Sequence, residues 1–218
     1  MATAEEDALK RKIQAQFSRY PLRTYPKGQI LVFADESPDH IFYVVKGRIR
    51  KYDVSYKGEE VVVNTFKPGA FFPMSWAINR TPNSYLYKTE EPAELHIVPV
   101  EDALEFLKSN PDVMLDLLSR IYKGMDGVLG RLVHLMSGTA KSRLIYELII
   151  ECRRFGRKDD EGRCVLSISE TDLAAQSGLA RETISREIKN LNGIVGIKRG
   201  AIVVSDMAAL ERLLGGVI

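Results

Sequence analysis

A heptad pattern of apolar residues between Pro111 and Ser137 constrains the fold of this chain more than any other feature. Alternating steps of four and three positions separate Met114, Leu118, Ile121, Met125, Val128, Leu132 and Leu135. This spacing places one apolar stripe along a single long helix. The pattern predicts either a helix that packs against its own domain or the seam of a parallel homodimer, and we favour the homodimer.

Three glycines, Gly124, Gly127 and Gly130, lie within the same helical segment. Each glycine costs a helix about 1 kcal/mol relative to alanine, because the unfolded glycine backbone has more freedom to lose. We therefore expect these glycines to serve close packing or hinge motion.

The segment before the heptad helix has the pattern of a small all-β domain. Residues 5–20 predict a short amphipathic helix with Leu9, Ile13 and Phe17 on one face. Glycine-bearing turn sequences then separate six β-rich runs: Gln29–Phe33, His40–Val45, Arg48–Val54, Glu60–Phe66, Tyr85–Thr89 and Ala93–Val98. Many short strands at this spacing predict a small all-β barrel or sandwich.

The segment after the heptad helix predicts a helix-turn-helix. Ser169 and Asp172 form the pattern of a capping box at the start of one helix. Gly178 is expected to end that helix, since glycine tolerates the left-handed conformation of a C-cap. A second helix is predicted from Arg181, and its apolar face comprises Ile184, Ile188 and Leu191.

The polar face of this second helix suits the recognition of base edges. It carries Arg181, Glu182, Ser185 and Arg186 near its N-terminus. Arginine can donate two hydrogen bonds to guanine O6 and N7, and glutamate can accept one from cytosine N4. The alternative is a solvated helix with a Glu182–Arg186 ion pair, worth about 0.3–0.5 kcal/mol. The two interpretations are compatible, because the Glu182–Arg186 pair would orient the arginine. Glu187 is expected to lie beside this face as a solvated side chain.

Local charge favours a nucleic-acid surface, although the net charge of the whole chain is only +2. Residues 181–200 hold five basic and two acidic side chains, which gives +3. Two β-rich runs, Val195–Lys198 and Ala201–Val204, predict a hairpin wing with a basic tip. The candidate phosphate contacts are Thr139, Lys141, Thr183, Lys189, Lys198 and Arg199.

Composition argues against several other classes of protein. The 218 residues are 45% hydrophobic and 28% charged, as in an ordinary folded protein. We find no secretory signal and no apolar run of transmembrane length, so we expect a cytoplasmic protein without a membrane partner. Cys152 and Cys164 form neither a disulfide framework nor a metal-site pattern. No nucleophile triad, phosphate-binding loop or metal spacing indicates an enzyme.

The order of these features resembles the Crp/Fnr family of bacterial transcription regulators. YPKGQILVFADESPDHIFYVVKGRIRKY is similar to the first strands of that family's cyclic-nucleotide-binding-like β-roll, and RETISR is similar to its recognition helix. The resemblance implies an α+β fold with an effector-sensing β-roll, a double-stranded β-helix of the jelly-roll type, over residues 1–110. A dimerisation helix over 111–137 and a winged helix-turn-helix over 138–218 follow from the same resemblance. It also implies a homodimer that binds a pseudo-palindromic site in double-stranded DNA.

The resemblance assigns roles to single residues as well. By the family's pattern, Arg181, Glu182 and Arg186 match base-contacting positions. Arg181 is typical of the Crp branch and Ser185 of the Fnr branch, so the half-site is expected to resemble TGTGA or TTGA. The exposed loop Gly156–Gly162 is, by the same resemblance, a candidate contact with RNA polymerase.

The sensor region departs from the family's cyclic-nucleotide motif. In FFPMSWAINRTPNS, Pro73 and Met74 replace the family's Gly and Glu, and Asn83-Ser84 replaces its Arg-Ser pair. A buried phosphate would lack its charged partner, which is costly, so we expect no cAMP binding. An iron–sulfur cluster would need four cysteines, whereas the chain has two. Haem is not expected either, because the three histidines are scattered: His40, His96 and His134.

What remains in the sensor region is mainly aromatic and apolar. One interpretation is a pocket for an unidentified, less charged effector. In the alternative, these side chains only fill the roll and its contact with the long helix, and abundance alone controls activity. A non-DNA adaptor that uses the roll to bind a ligand is a further alternative. The candidate pocket residues are Phe72, Met74, Trp76, Asn83, Ser84, Tyr85 and Val128.

Overall fold

The computed structural model describes residues 4–56, 58–198 and 200–215 of the chain. The chain divides into two compact units, residues 1–122 and residues 123–218. The heptad segment is one continuous helix, Pro111–Ser137, which contributes residues to both units. The three-part division at residues 110 and 137 stays a prediction.

The first unit is built from two antiparallel sheets, with helices before and after the strands and one short helix between them. Its elements are α1 (Ala4–Phe17), β1 (Leu22–Tyr25), β2 (Ile30–Val32), β3 (His40–Lys46), β4 (Ile49–Val54), β5 (Glu60–Phe66), β6 (Phe71–Phe72), α2 (Met74–Asn79), β7 (Leu86–Thr89), β8 (Ala93–Pro99), α3 (Val100–Ser109) and α4 (Pro111–Ser137). One sheet has the strand order β1-β8-β3-β6, and the other has the order β2-β7-β4-β5.

The two sheets enclose an apolar core inside the roll. Side chains of a strand alternate between its two faces, so each strand points every second residue toward this core. On β3, Phe42 and Val44 join the inner core with residues of both sheets, among them Ile49. Ile41 and Tyr43, on the opposite face of β3, pack with α1, α2, α3 and the start of α4. The run HIFYVVK is therefore apolar on both faces, as expected for a strand covered on both sides.

Helix α4 exposes its heptad stripe in the single chain. The seven predicted seam residues are 38% to 50% exposed, whereas Val113 and Leu117 are buried in the core of the first unit. Gly130 serves close packing, since a Cβ there would collide with the hydroxyl of Tyr146. At Gly124 a Cβ would meet no atom of the described residues within 4 Å.

The second unit packs four helices and a small sheet around one apolar core. Its elements are α5 (Ala140–Phe155), β9 (Arg157–Lys158), β10 (Cys164–Leu166), α6 (Glu170–Ser177), α7 (Arg181–Asn190), β11 (Val195–Lys198), β12 (Ala201–Val204) and α8 (Met207–Leu213). The sheet has the order β11-β12-β10-β9, and its strands pair antiparallel. The hairpin of β11 and β12 is the predicted wing.

The predicted fold class, an α+β chain with a β-roll, a long helix and a C-terminal winged helix-turn-helix, is confirmed. Several shorter elements were not predicted, namely β1, β6, α2, α3, β9 and α8. Helix α1 ends at Phe17, before the predicted end at residue 20. The loop predicted over Gly156–Gly162 contains the short strand β9, which pairs with β10. Apart from the ten-residue α3, these elements have two to seven residues and complete at most about two periods of a strand or helix, so their sequence pattern is weak.

The turn between β3 and β4 gives a stability prediction. Gly47 has a φ of 94°, and a Cβ there would lie 2.8 Å from the Cα of Ala93 and 2.9 Å from the carbonyl oxygen of Pro92. We expect Gly47→Ala to lower the free energy of unfolding by about 3 kcal/mol, since backbone strain and a backbone clash add. The control Gly58→Ala, with φ 79° but open space, should cost about 1 kcal/mol. Urea titration measures both, and equal costs would contradict the clash.

Candidate functional site

The helix-turn-helix begins with a complete capping box. The hydroxyl oxygen of Ser169 accepts a hydrogen bond from the backbone N–H of Asp172 (3.1 Å), and the Asp172 carboxylate accepts one from the N–H of Ser169 (3.3 Å). Gly178 caps the end of α6 in the left-handed conformation, with a φ of 65°. Helix α7 starts three residues later at Arg181, as predicted.

Helix α7 has one buried face and one face open to solvent. Ile184 and Ile188 are 0% and 4% exposed and pack with Leu173 of α6 in the core of the second unit. The opposite face borders an open groove of about 320 Å³, lined by Arg181, Glu182, Ser185, Arg186 and Lys189. The four candidate base-contacting residues thus lie together on one surface of one helix.

The ion pairs around α7 differ from the predicted one. Arg181 Nη2 lies 3.6 Å from Oε2 of Glu170 on α6, and Arg186 Nε lies 3.6 Å from Oε1 of Glu187. No ion pair joins Glu182 to Arg186 in the described part of the chain. The Glu187 side chain is only 12% exposed, so the prediction that it is a solvated flank is wrong. Both arginine side chains stay about two-thirds exposed, and such pairs contribute at most about 1 kcal/mol.

The candidate phosphate contacts lie at the start of α5, on α7 and on the wing. Thr139 is the N-cap of α5, and its hydroxyl oxygen accepts a hydrogen bond from the N–H of Ser142 at 3.2 Å. Lys141 follows in the first turn and is exposed, and Lys198 is exposed at the end of β11. Arg199 lies outside the described residues. The positions of Thr183 and Lys189 on α7 complete the set.

Two sets of polar contacts connect α5 to α4 and to α6 within the second unit. The guanidinium of Arg131 on α4 donates two hydrogen bonds to the carboxylate of Glu147, one of them at 2.8 Å. One turn later on α5, Glu151 accepts a hydrogen bond from Gln176 of α6 at 3.1 Å. Burial lowers the pKa of Arg131, but the hydrogen bonds and charge of Glu147 outweigh it and raise that pKa. The Gln176–Glu151 hydrogen bond ties α6, the first helix of the helix-turn-helix, to α5.

The Arg131–Glu147 pair gives a second stability prediction. Glu147→Ala would leave the guanidinium of Arg131, whose side chain is only 19% exposed, without its carboxylate partner. We expect a loss of about 3 kcal/mol in the free energy of unfolding. The control Glu211→Ala removes the Arg153–Glu211 pair, whose side chains are 39% and 31% exposed, and should cost less than about 1 kcal/mol. Chemical denaturation of both variants checks this, and similar costs would show that burial of the pair does not matter.

The candidate effector residues do not form one group in the structure. Phe72 lies in the inner core of the roll, whereas Met74 and Trp76 pack on the outer side with the helices. Phe72 lies on strand β6, whereas Met74 and Trp76 lie in the first turn of α2. The two groups therefore pack on opposite faces of the same sheet. Tyr85 packs at the border of the inner core. Val128 belongs to the second unit and is 47% exposed.

Asn83 has a structural contact that the sequence did not reveal. Its side-chain N–H groups donate to the carbonyl oxygens of Phe33, at 2.9 Å, and Tyr85. Its backbone also pairs with Asp35 and Glu36. The residue is 4% exposed, whereas the neighbouring Ser84 is exposed. Asn83 therefore fastens two loops to each other.

A residue that the sequence reasoning missed, Lys51, lies on the inner face of the roll. It is two positions after Ile49 on β4, and Ile49 is 0% exposed in the inner core. Alternation along a strand places both side chains on the same face. The run IRKYDV contained this signal, since a lysine at an inward position breaks the expected apolar pattern.

Metal-ligand clusters and membrane-spanning helices are both absent from the described residues. No group of three or more His, Cys, Asp or Glu side chains could hold a metal ion there. None of the described helices has the length and apolarity that crossing a bilayer requires.

Both units match known protein families. A model of the cyclic nucleotide-binding domain matches residues 22–110, and a model of the Crp-like helix-turn-helix domain matches residues 142–213. The first match covers the two sheets, and the second contains α6, α7 and the wing. The chain thus carries a helix-turn-helix DNA-binding domain of the Crp type.

Similar full-length proteins align with nearly the whole of this chain. The chain is 26% identical to the global nitrogen regulator of Synechocystis sp. over 214 residues, which covers 94% of this chain and 93% of that protein. It is 24% identical to the cyclic AMP receptor protein of Thermus thermophilus, covering 94% and 93%. The fold matches the crystal structure of a CRP/FNR-family regulator, also from Thermus thermophilus, with a TM-score of 0.72 and 21% identity, covering 89% and 98%. With the two domain models, which match residues 22–110 and 142–213, these relatives identify the protein as a member of the Crp/Fnr family of transcription regulators.

Proposed function

We propose that this protein is a homodimeric, sequence-specific DNA-binding regulator whose β-roll responds to an effector. The observation that carries the proposal is the open face of α7. Its polar side chains line an open groove, while Ile184 and Ile188 anchor the other face. A helix held in this way can enter the major groove of DNA with its N-terminal residues toward the bases.

Each polar residue of α7 has a role in this proposal. Arg181 and Arg186 donate to guanine, Glu182 accepts from cytosine, and Ser185 contacts a neighbouring base. The phosphate contacts, from the start of α5, from Thr183 and Lys189 and from the wing, fix the orientation of α7 on the duplex. They supply the salt-dependent part of the affinity.

The proposed homodimer forms along the heptad stripe of α4. Seven apolar side chains at heptad spacing are uncovered in the single chain, which is a large apolar surface for a monomer. Pairing two parallel copies would bury the stripe as knobs into holes. The two copies of α7 would then address half-sites about 34–36 Å apart in a pseudo-palindromic site.

We infer that the roll acts through an effector other than cAMP, and without a resident iron–sulfur cluster or haem. Pro73 and Met74 occupy the positions of the family's Gly and Glu, and the amide of Asn83 is engaged by loop carbonyls. An effector controls DNA binding only if it binds one conformation of the protein more tightly than the other. We place this regulator in the cytoplasm and assign it no enzymatic activity.

A binding titration tests the proposed function. The full chain is titrated onto labelled duplexes with two inverted TGTGA half-sites, two inverted TTGA half-sites or a scrambled sequence, and fluorescence anisotropy is recorded. We expect one palindrome to bind on the order of a thousandfold more tightly than the scrambled duplex. Equal affinity for all three duplexes would contradict sequence-specific binding to these half-sites.

A further inference from the structure

The inner face of the sheet β2-β7-β4-β5 carries a cation, Lys51. In the strand register Lys51 lies opposite Tyr87 of β7 and Asn64 of β5. Directly opposed residues of antiparallel strands project from the same face. Because Tyr87 is 1% exposed in the inner core, the Lys51 side chain lies inside the roll as well.

Neighbouring cations on the outer side of the same sheet are neutralised. Arg50 Nε lies 2.8 Å from Oε1 of Glu90, and Arg48 Nε lies 3.0 Å from Oε2 of the same carboxylate. Lys88, next to Tyr87 on β7, forms an ion pair with Glu60. Each of these three cations thus has a carboxylate partner.

Lys51 has no such partner. Its Nζ lies 3.9 Å from the centroid of the Tyr85 ring, and no carboxylate of the described residues forms an ion pair with it. Burial lowers the pKa of Lys51. A cation–π contact offsets part of the cost of taking an ammonium out of water, but it accepts no hydrogen bond. The ammonium is therefore left able to bind an anion.

The surroundings of Lys51 also offer a surface for a planar group. Lys51, Asn64, Phe66 and Tyr85 are each partly exposed, so this part of the inner face is open to solvent. The ring of Phe66 stacks on the buried ring of Phe72 at 5.1 Å, and Phe72 stacks on the buried ring of Tyr87 at 5.0 Å. An apolar body could lie against this aromatic wall while its charged end meets the ammonium.

We propose that the inner face of the β-roll binds a small organic acid, with its carboxylate on Lys51 and its planar part against Tyr85 and Phe66. A single ammonium balances the single negative charge of a carboxylate, whereas a phosphate monoester carries nearly two negative charges and would leave charge unpaired inside the roll. This inference rests on the proposed function, because it names the chemical class of the effector. It departs from the expectation of a less charged ligand. That expectation came from the segment FFPMSWAINRTPNS, whereas Lys51 lies outside this segment on β4.

The test uses phenylacetate and its neutral counterpart phenylacetamide as probes. Calorimetry with the full chain should show phenylacetate binding on the order of tenfold more tightly than phenylacetamide. Lys51→Met should abolish this preference, and Lys51→Arg should retain it. The matched control Lys88→Met removes a lysine from the outer face of a neighbouring strand and should leave the preference unchanged.

Thermal unfolding without ligand separates a binding role from a structural one. Lys51→Met should raise the Tm, since it replaces an unpaired, partly desolvated cation with an apolar group of similar length. Lys88→Met should lower the Tm, because it breaks the pair with Glu60. A lower Tm for Lys51→Met would show that the lysine serves the fold, and would overturn the proposal.

Two further outcomes would also overturn the proposal: no preference for phenylacetate in the natural chain, or the same preference in Lys51→Met. The DNA titration above is independent of these measurements. Carboxylate binding without DNA binding would contradict the proposed function alone. DNA binding without the Lys51-dependent preference would contradict only the identity of the ligand.

Discussion

Replacing Met125 with aspartate should convert the protein from a dimer to a monomer and lower its affinity for a palindromic duplex by about 10²–10⁴-fold. Met125 is the central residue of the heptad stripe and is 50% exposed in the single chain. In a dimer it would meet its own copy, so the variant would bury two like charges in an apolar seam. A monomer binds one half-site at a time and loses the gain of linked binding.

Analytical ultracentrifugation together with DNA titration measures this effect. Because Met125 is exposed in the single chain, the variant should keep its far-ultraviolet circular dichroism spectrum. Met125→Leu keeps the site apolar and should remain dimeric. Lys123→Asp introduces the same side chain at an exposed position off the stripe and should remain dimeric too. A dimeric Met125→Asp variant would show that α4 is not the seam.

The second large effect is expected from Arg186→Ala, which should lower sequence discrimination by about 1–3 kcal/mol. Arg186 is 65% exposed on the open face of α7, and its contact with Glu187 at 3.6 Å holds it only weakly. A bidentate contact with guanine exists only when the correct base is present. The loss should therefore concern the preferred duplex and leave the scrambled duplex almost unchanged.

Lys189→Ala is the matched control for this prediction, since Lys189 lies on the same face of the same helix. As a phosphate contact it should weaken binding to both duplexes alike and reduce the salt dependence by about one unit of slope. Anisotropy titrations at several salt concentrations distinguish the two patterns. If Arg186→Ala weakened both duplexes equally, its role would be a phosphate contact.

The sequence predicted those parts of the fold whose pattern runs for several periods or is fixed by a cap. The stripe of α4 continues from Met114 to Leu135, and the turn after α6 is marked by a capping box and by Gly178. The open face of α7 followed from the burial of Ile184 and Ile188. These signals are local, so one sequence suffices to find them.

The sensor could not be predicted in the same way because its geometry depends on which face of a sheet each residue occupies. Phe72 and Met74 are two positions apart, yet they enter different cores. Asn83 resembles a ligand contact in sequence but bonds to loops, one of them distant along the chain. The prediction that Glu187 is solvated failed because the burial of its side chain depends on tertiary packing, which a local pattern does not show.

Selection from a randomised DNA library tests the central claim most directly. The full chain is incubated with duplexes that contain a random segment, and the bound fraction is amplified and sequenced. We predict enrichment of two inverted half-sites related to TGTGA or TTGA, with centres about one helical turn apart. Enrichment of a single unpaired half-site, or no enrichment over the input library, would contradict a homodimer that recognises DNA through α7.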